Sequence, residues 1–115
     1  MEIVHLALAA DWVAALASGE YRVSTLGASL DEVGFIHAST RPQLTAVAER
    51  FYAGVTEPLL LLVMDDDAIR ATGTRVQYEV AGEGELFPHV YGPIRPAHVT
   101  AVIPAHMDRT GALAY

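Results

Sequence analysis

Cysteine is absent from the chain, which removes disulfides, thiol nucleophiles and thiolate metal sites at one stroke. Lysine is absent too: the seven basic residues are all arginine, against fourteen acids and a formal net charge of −7. No basic cluster exists to release counterions from a phosphate backbone, so a nucleic-acid partner is not expected. Long apolar runs are missing as well. The longest, Leu59 to Met64, is far short of a membrane span, and Met1-Glu2-Ile3-Val4-His5 carries no basic leader region. The expectation is a cytoplasmic protein with no membrane partner. Gly-x-Ser-x-Gly, Gly-x-Gly-x-x-Gly, the phosphate-loop motif, His-Glu-x-x-His and His-x-His are all lacking. A nucleophile elbow, a Rossmann or Walker nucleotide site and a locally paired zinc site go with them.

What is present is a compact, apolar chain of 115 residues, 52% hydrophobic and only 18% charged, enough for one core. The expected organisation is a single globular domain over residues 1–104 with a C-terminal tail at 105–115. Ile3 to Leu8 reads as a strand with His5 in its middle, followed by a helix over Ala9 to Ser18 that Gly19 ends. Glu20 to Val33 lacks long periodicity and reads as a surface connector, with a capping box at Ser29-x-x-Glu32. Leu44, Val47, Ala48, Phe51 and Tyr52 share one helical face, opened by Thr40-x-x-Gln43 and closed at Gly54. Leu59 to Met64 is a central strand buried on both faces. Asp65-Asp66-Asp67 reads as a cap and solvated first turn, not as spaced metal ligands. Arg75 to Val80 alternates, with Val76, Tyr78 and Val80 inward and Arg75, Gln77 and Glu79 outward. Ala81 to Glu85 is an acidic glycine loop, Leu86 to Pro93 is extended between prolines, and Val99 to Ile103 is a last strand.

Chemistry concentrates in Gly34-Phe35-Ile36-His37-Ala38-Ser39-Thr40, which joins an apolar strand, a histidine, two hydroxyls and a helix start. His5 and His89 lie in similar strand contexts. If the three imidazoles converge, they offer hydrogen-bond donors, a general acid or base, or an open zinc site, so a metal-dependent enzyme using His5, His37 and His89 is an alternative. Glu85 stands four residues before His89, at the edge of the glycine loop.

The chain resembles a bacterial family catalogued as domain of unknown function 952. The blocks that carry the resemblance are Ile3-Val4-His5-Leu6-Ala7 with Trp12, Ser24-Thr25-Leu26, Gly34 to Thr40, Arg50-Phe51-Tyr52-Ala53-Gly54, and Glu85 to Pro93. Val4 replaces an aromatic and Ala38 a bulkier residue or cysteine. The resemblance implies an ADP-ribosyltransferase-like fold: an α+β domain with a small split, mixed, largely antiparallel sheet, two main helices and a cleft that binds NAD. By position it implies that His5 holds a ribose, that His37 takes the second role beside Ser39 and Thr40, and that Glu85 or His89 takes the third. The implied activity is an NAD- or ADP-ribose-using transferase or glycohydrolase, or a phosphoryl transferase if His89 fills the third place. The candidate catalytic residues are thus His37, Glu85 and His89. The candidate binding residues are His5, Ser39, Thr40, Tyr52 and Tyr91. The expected cofactor is NAD with no metal, and the expected partner is a small nucleotide ligand. A non-catalytic nucleotide or small-metabolite binding module is the other alternative. Oligomeric state is open.

Overall fold

The computed structural model describes residues 1–115. β1 (Glu2–Leu8) runs directly into α1 (Ala9–Ser18), which stops at Gly19 in the left-handed region, φ 88°. The expected connector contains a small hairpin, β2 (Val23–Thr25) and β3 (Ala28–Ser29), then α2 (Leu30–Val33). Its capping box is complete: Ser29 N–H donates to Glu32 Oε1 at 3.0 Å and Glu32 N–H to Ser29 Oγ at 3.2 Å. After Gly34 comes β4 (Ile36–His37), a single 3-10 turn at Arg41–Gln43, and α3 (Leu44–Phe51). The chain continues through β5 (Leu59–Asp65), α4 (Asp66–Ala71), β6 (Arg75–Ala81), β7 (Glu85–Tyr91), a 3-10 turn at Pro96–His98, β8 (Val99–Met107) and β9 (Leu113–Ala114).

Apart from the β2-β3 hairpin, two sheets hold the strands, in the orders β1-β5-β8-β9 and β4-β7-β6, and every pairing is antiparallel. The seam between them is a single bridge at Val4 and Ser39, whose amides and carbonyls exchange hydrogen bonds of 2.7 and 2.9 Å. The fold is therefore α+β with a split antiparallel sheet. β5 lies between β1 and β8 and is buried on both faces, as its continuous apolar run predicts. Leu62 and Met64 join one core with Trp12, Tyr21, Ile36, Ile69 and Val90. Leu59, Leu61 and Val63 join the other, closed by Leu44, Ala48 and Tyr52 near α3. At roughly 25 cal/mol per Å² of apolar area, burial on two faces makes Leu59, Leu61 and Leu62 full contributors to one core or the other.

Several expectations are revised. α3 ends at Phe51 with Tyr52 as its cap, two residues before Gly54, and Phe51 turns out to solvent while Tyr52 is buried. Asp66 is not solvated. It is buried, accepting from Tyr78 Oη at 2.8 Å and from the Met1 ammonium at 2.9 Å. Val80, assigned to the inner face of its strand, is exposed near the hairpin end, where no core lies beneath it. The acidic glycine loop is a tight β6–β7 turn, with Gly82 and Gly84 at φ 61° and 90°. Residues 105–115 are also structured, for β8 runs on to Met107 and β9 pairs back with it. The turn between them is built on Asp108 Oδ1, which accepts from Thr110 N–H, Thr110 Oγ1 and Ala112 N–H at 2.6 to 3.0 Å. No helix is long and apolar enough to cross a membrane.

Candidate functional site

A cleft of about 320 Å³ opens between α3 and the β6–β7 hairpin. α3 contributes Ala46, Val47, Arg50 and Phe51; the hairpin contributes Gly82, Glu83, Glu85 and Phe87; β4 contributes His37. Each reaches the cleft for a local reason. His37 follows Ile36, which the period of a strand sends into the core, so its own side chain lies on the opposite face. Phe51 is the last residue of α3, past the turns whose Leu44, Val47 and Ala48 are buried. The hairpin rim is fixed by Gln43, whose Nε2 donates to Glu85 Oε1 at 2.9 Å and to the Leu86 carbonyl at 2.8 Å. Gln43 Oε1 meanwhile accepts from Thr40 N–H at 3.0 Å.

The chemistry on offer is aromatic, cationic and acidic at once. The His37 ring lies 5.2 Å from the Phe87 ring and 6.5 Å from Phe51, centre to centre. The Arg50 guanidinium sits 5.4 Å from the Phe51 ring centre and has no carboxylate partner. Burial, with a further push from His89, holds the His37 pKa down at about 4, so its imidazole is neutral at physiological pH.

A small polar pit of about 10 Å³, room for one water-sized group, adjoins the cleft and shares His37 and Val47 with it. Val4, His5, Leu6, Ser24, Thr25, Ser39 and Tyr52 line the rest. His5 is fully engaged: Nδ1–H donates to the His37 carbonyl at 2.6 Å, and Nε2 accepts from Tyr21 Oη at 2.8 Å. Burial pushes its pKa down to about 4, which keeps the ring in the neutral form these two bonds require. Tyr52 Oη is also committed, donating to the Leu6 carbonyl at 3.1 Å.

Behind His37 stands a second group. His89 faces His37 across the β4–β7 pair, with ring centres 5.5 Å apart, and stacks on Phe35 at 3.9 Å. Its Nδ1 is 2.8 Å from Glu79 Oε1, which also accepts from Tyr91 Oη. Those two hydrogen bonds, Tyr91 first and His89 second, hold Glu79 below the usual carboxylate range. Arg75 lies over the Tyr91 ring at 4.1 Å.

The structure thus brings His37 and Glu85 into one cleft and puts His5, Ser39 and Tyr52 around the pit. His89 and Tyr91 are in neither, and Thr40 spends its amide on Gln43. His5, His37 and His89 do not form a ligand set, because both His5 nitrogens have protein partners. The close triad of potential metal-ligating groups is Asp65, Asp66 and Asp67, and the Met1 ammonium already bonds to the first two. Sequence reasoning missed Arg50 and Glu79 as site residues. The signal for Glu79 was available in the hairpin: antiparallel register about the glycine turn sets Gln77 opposite His89 and Glu79 opposite Phe87, on one face.

Fold and site together define a small α+β domain with an antiparallel split sheet and an aromatic, histidine-bearing cleft. The chain belongs to the family described as Protein of unknown function (DUF952), which it matches over residues 6–102. It is similar to protein CC0527 from Caulobacter crescentus: against the X-ray structure the identity is 27%, with 99% of this chain and 94% of that one covered and a TM-score of 0.85. The solution NMR structure of CC0527 gives 27% identity, 96% and 90% coverage and a TM-score of 0.76. No curated protein matches the chain.

Proposed function

We propose that the cleft between α3 and the β6–β7 hairpin binds a nucleotide of the NAD or ADP-ribose type, and that the chain is a transferase or glycohydrolase acting on it. The observation that carries the reading is the gathering of Phe51, Phe87, His37, Arg50 and Glu85 around one opening. Aromatic walls suit a flat base or a nicotinamide ring, and an unpaired guanidinium suits a diphosphate. Loss of nicotinamide from NAD builds positive charge on the ribose, which a nearby carboxylate stabilises, and Glu85 is held at the rim by Gln43 for that role. The ADP-ribosyltransferase-like fold that the family resemblance implies suits the same ligand. His5 serves this site from behind, through the His37 carbonyl, and the ribose contact is not assigned to it.

The test is the thermal unfolding midpoint with and without millimolar NAD and ADP-ribose, for the natural chain and for Arg50→Ala. Ligand at a hundred times its dissociation constant adds about 2.7 kcal/mol, a rise of several degrees in a domain of this size. The rise is expected in the natural chain and lost in Arg50→Ala, whose exposed side chain leaves the fold intact. No rise with either nucleotide removes the reading. Release of free nicotinamide, followed by chromatography, separates an enzyme from a binding module.

A further inference from the structure

His37 on its own is a poor base, since burial keeps it neutral with little proton affinity at physiological pH. The groups behind it change what it can do. His89 lies on the central strand of its sheet, with Glu79 on the neighbour at one side and His37 on the neighbour at the other. Glu79 accepts the Nδ1–H of His89, which puts Nε2 on the side of the ring away from Glu79. That Nε2 is buried and has no hydrogen-bond partner, although the residue is only 4% exposed. The ring of His37 likewise forms no side-chain hydrogen bond, and the two ring centres lie 5.5 Å apart. No hydrogen bond joins their nitrogens here, so a relay between them requires the rings to turn until they meet. A buried nitrogen without a partner is costly to keep, so its place beside a cleft histidine calls for a use.

We propose that Glu79 and His89 form a proton-accepting pair that orients His37 and relays a proton away from the cleft. A ligand hydroxyl gives its proton to the cleft-facing nitrogen of His37 and keeps the electron pair as a nucleophile. The opposite nitrogen of His37 passes its own proton to His89 Nε2. His37 ends neutral in the other tautomer, and the imidazolium formed at His89 is balanced by the Glu79 carboxylate. Glu79 and His89 are positioning residues in this scheme, acting on the ligand only through His37. Tyr91 and Arg75 keep Glu79 ionised and in place, the first by its hydroxyl and the second from above the Tyr91 ring. The involvement of a ligand hydroxyl rests on the nucleotide reading of the cleft; the coupling between the two histidines does not.

The charged and titratable groups that face the pair are Glu79 and Arg75 from β6 and Tyr91 from β7. Those around His37 are Arg50 from α3, Glu83 and Glu85 from the hairpin, and His5 beneath its carbonyl. The experiment is imidazole nitrogen NMR across a pH titration on the natural chain, Glu79→Gln and Tyr91→Phe, without ligand. In the natural chain His89 is expected as the Nδ1–H tautomer at neutral pH. Glu79→Gln is expected to move the first proton of the pair to His37, raising its titration midpoint by about half a pH unit or more, while His98 keeps its midpoint. Tyr91→Phe is expected to shift His37 the opposite way, because Glu79 then holds its negative charge for His89 alone. An Nε2–H tautomer at His89 in the natural chain overturns the proposal, even if no variant folds. So do His37 curves that superimpose between the natural chain and a folded Glu79→Gln. Because no nucleotide is present, neither result depends on whether NAD binds.

Discussion

His5 is 2% exposed in the middle of an apolar strand, and what fixes it there is two hydrogen bonds, not a ligand. Replacing it by alanine opens a cavity and strands both the Tyr21 hydroxyl and the His37 carbonyl. The expected loss is about 2–4 kcal/mol of stability, measured by urea denaturation, and a neutral outcome would mean that the ring braces nothing. The sequence marked His5, His37 and His89 as alike, because strand context is all that spacing reveals. Their division into brace, cleft residue and relay depends on partners 16, 32 and 10 positions away in the chain, Tyr21 and the His37 carbonyl for His5 and Glu79 for His89. Such partners are set by strand order, which no local motif reports.

At the scale of elements, legibility followed length. β1, α1 and β5 span 7 to 10 residues and show their period plainly. β2 and β3 have three and two residues, too few for alternation to show, and their strand character comes only from the partners they meet. β6 is an edge strand of its sheet, and its edge is guarded: Arg70 in α4 donates from Nε and Nη2 to the Val76 carbonyl at 3.2 and 3.0 Å. A side chain in that position blocks the ladder another strand would need. Arg70→Ala is therefore expected to add self-association, seen as a concentration-dependent rise in sedimentation coefficient, with little change in the unfolding midpoint. Pro88 lies inside β7 without loss to the β6 ladder, because its carbonyl points to the other side, where it accepts from Ala38 N–H at 3.0 Å.

The whole molecule carries an acid weakness. His5 and His37 are held near 4 against an ordinary 6.5, and His98 is lowered by burial and by Arg95. Between those values the unfolded chain binds more protons than the folded one, so stability is full above pH 6.5 and falls as pH drops through the folded values. For His5 alone the loss by pH 4 is about 3 kcal/mol. Unfolding midpoints measured from pH 7 to 4.5 are expected to decline steadily, and a flat profile would show that these rings are already charged in the fold. The order of strands in the larger sheet has a further consequence, for the time the chain spends being made. β1 leaves the ribosome well before its ladder partner β5, with Leu8 opposite Leu59 as the nearest rung and Glu2 opposite Asp65 as the farthest. At on the order of 5–20 residues per second, several seconds pass before that partner emerges. Through them Ile3 to Leu8 remains an unpaired apolar edge, the condition in which a nascent chain is most open to aggregation and to capture by a holding chaperone.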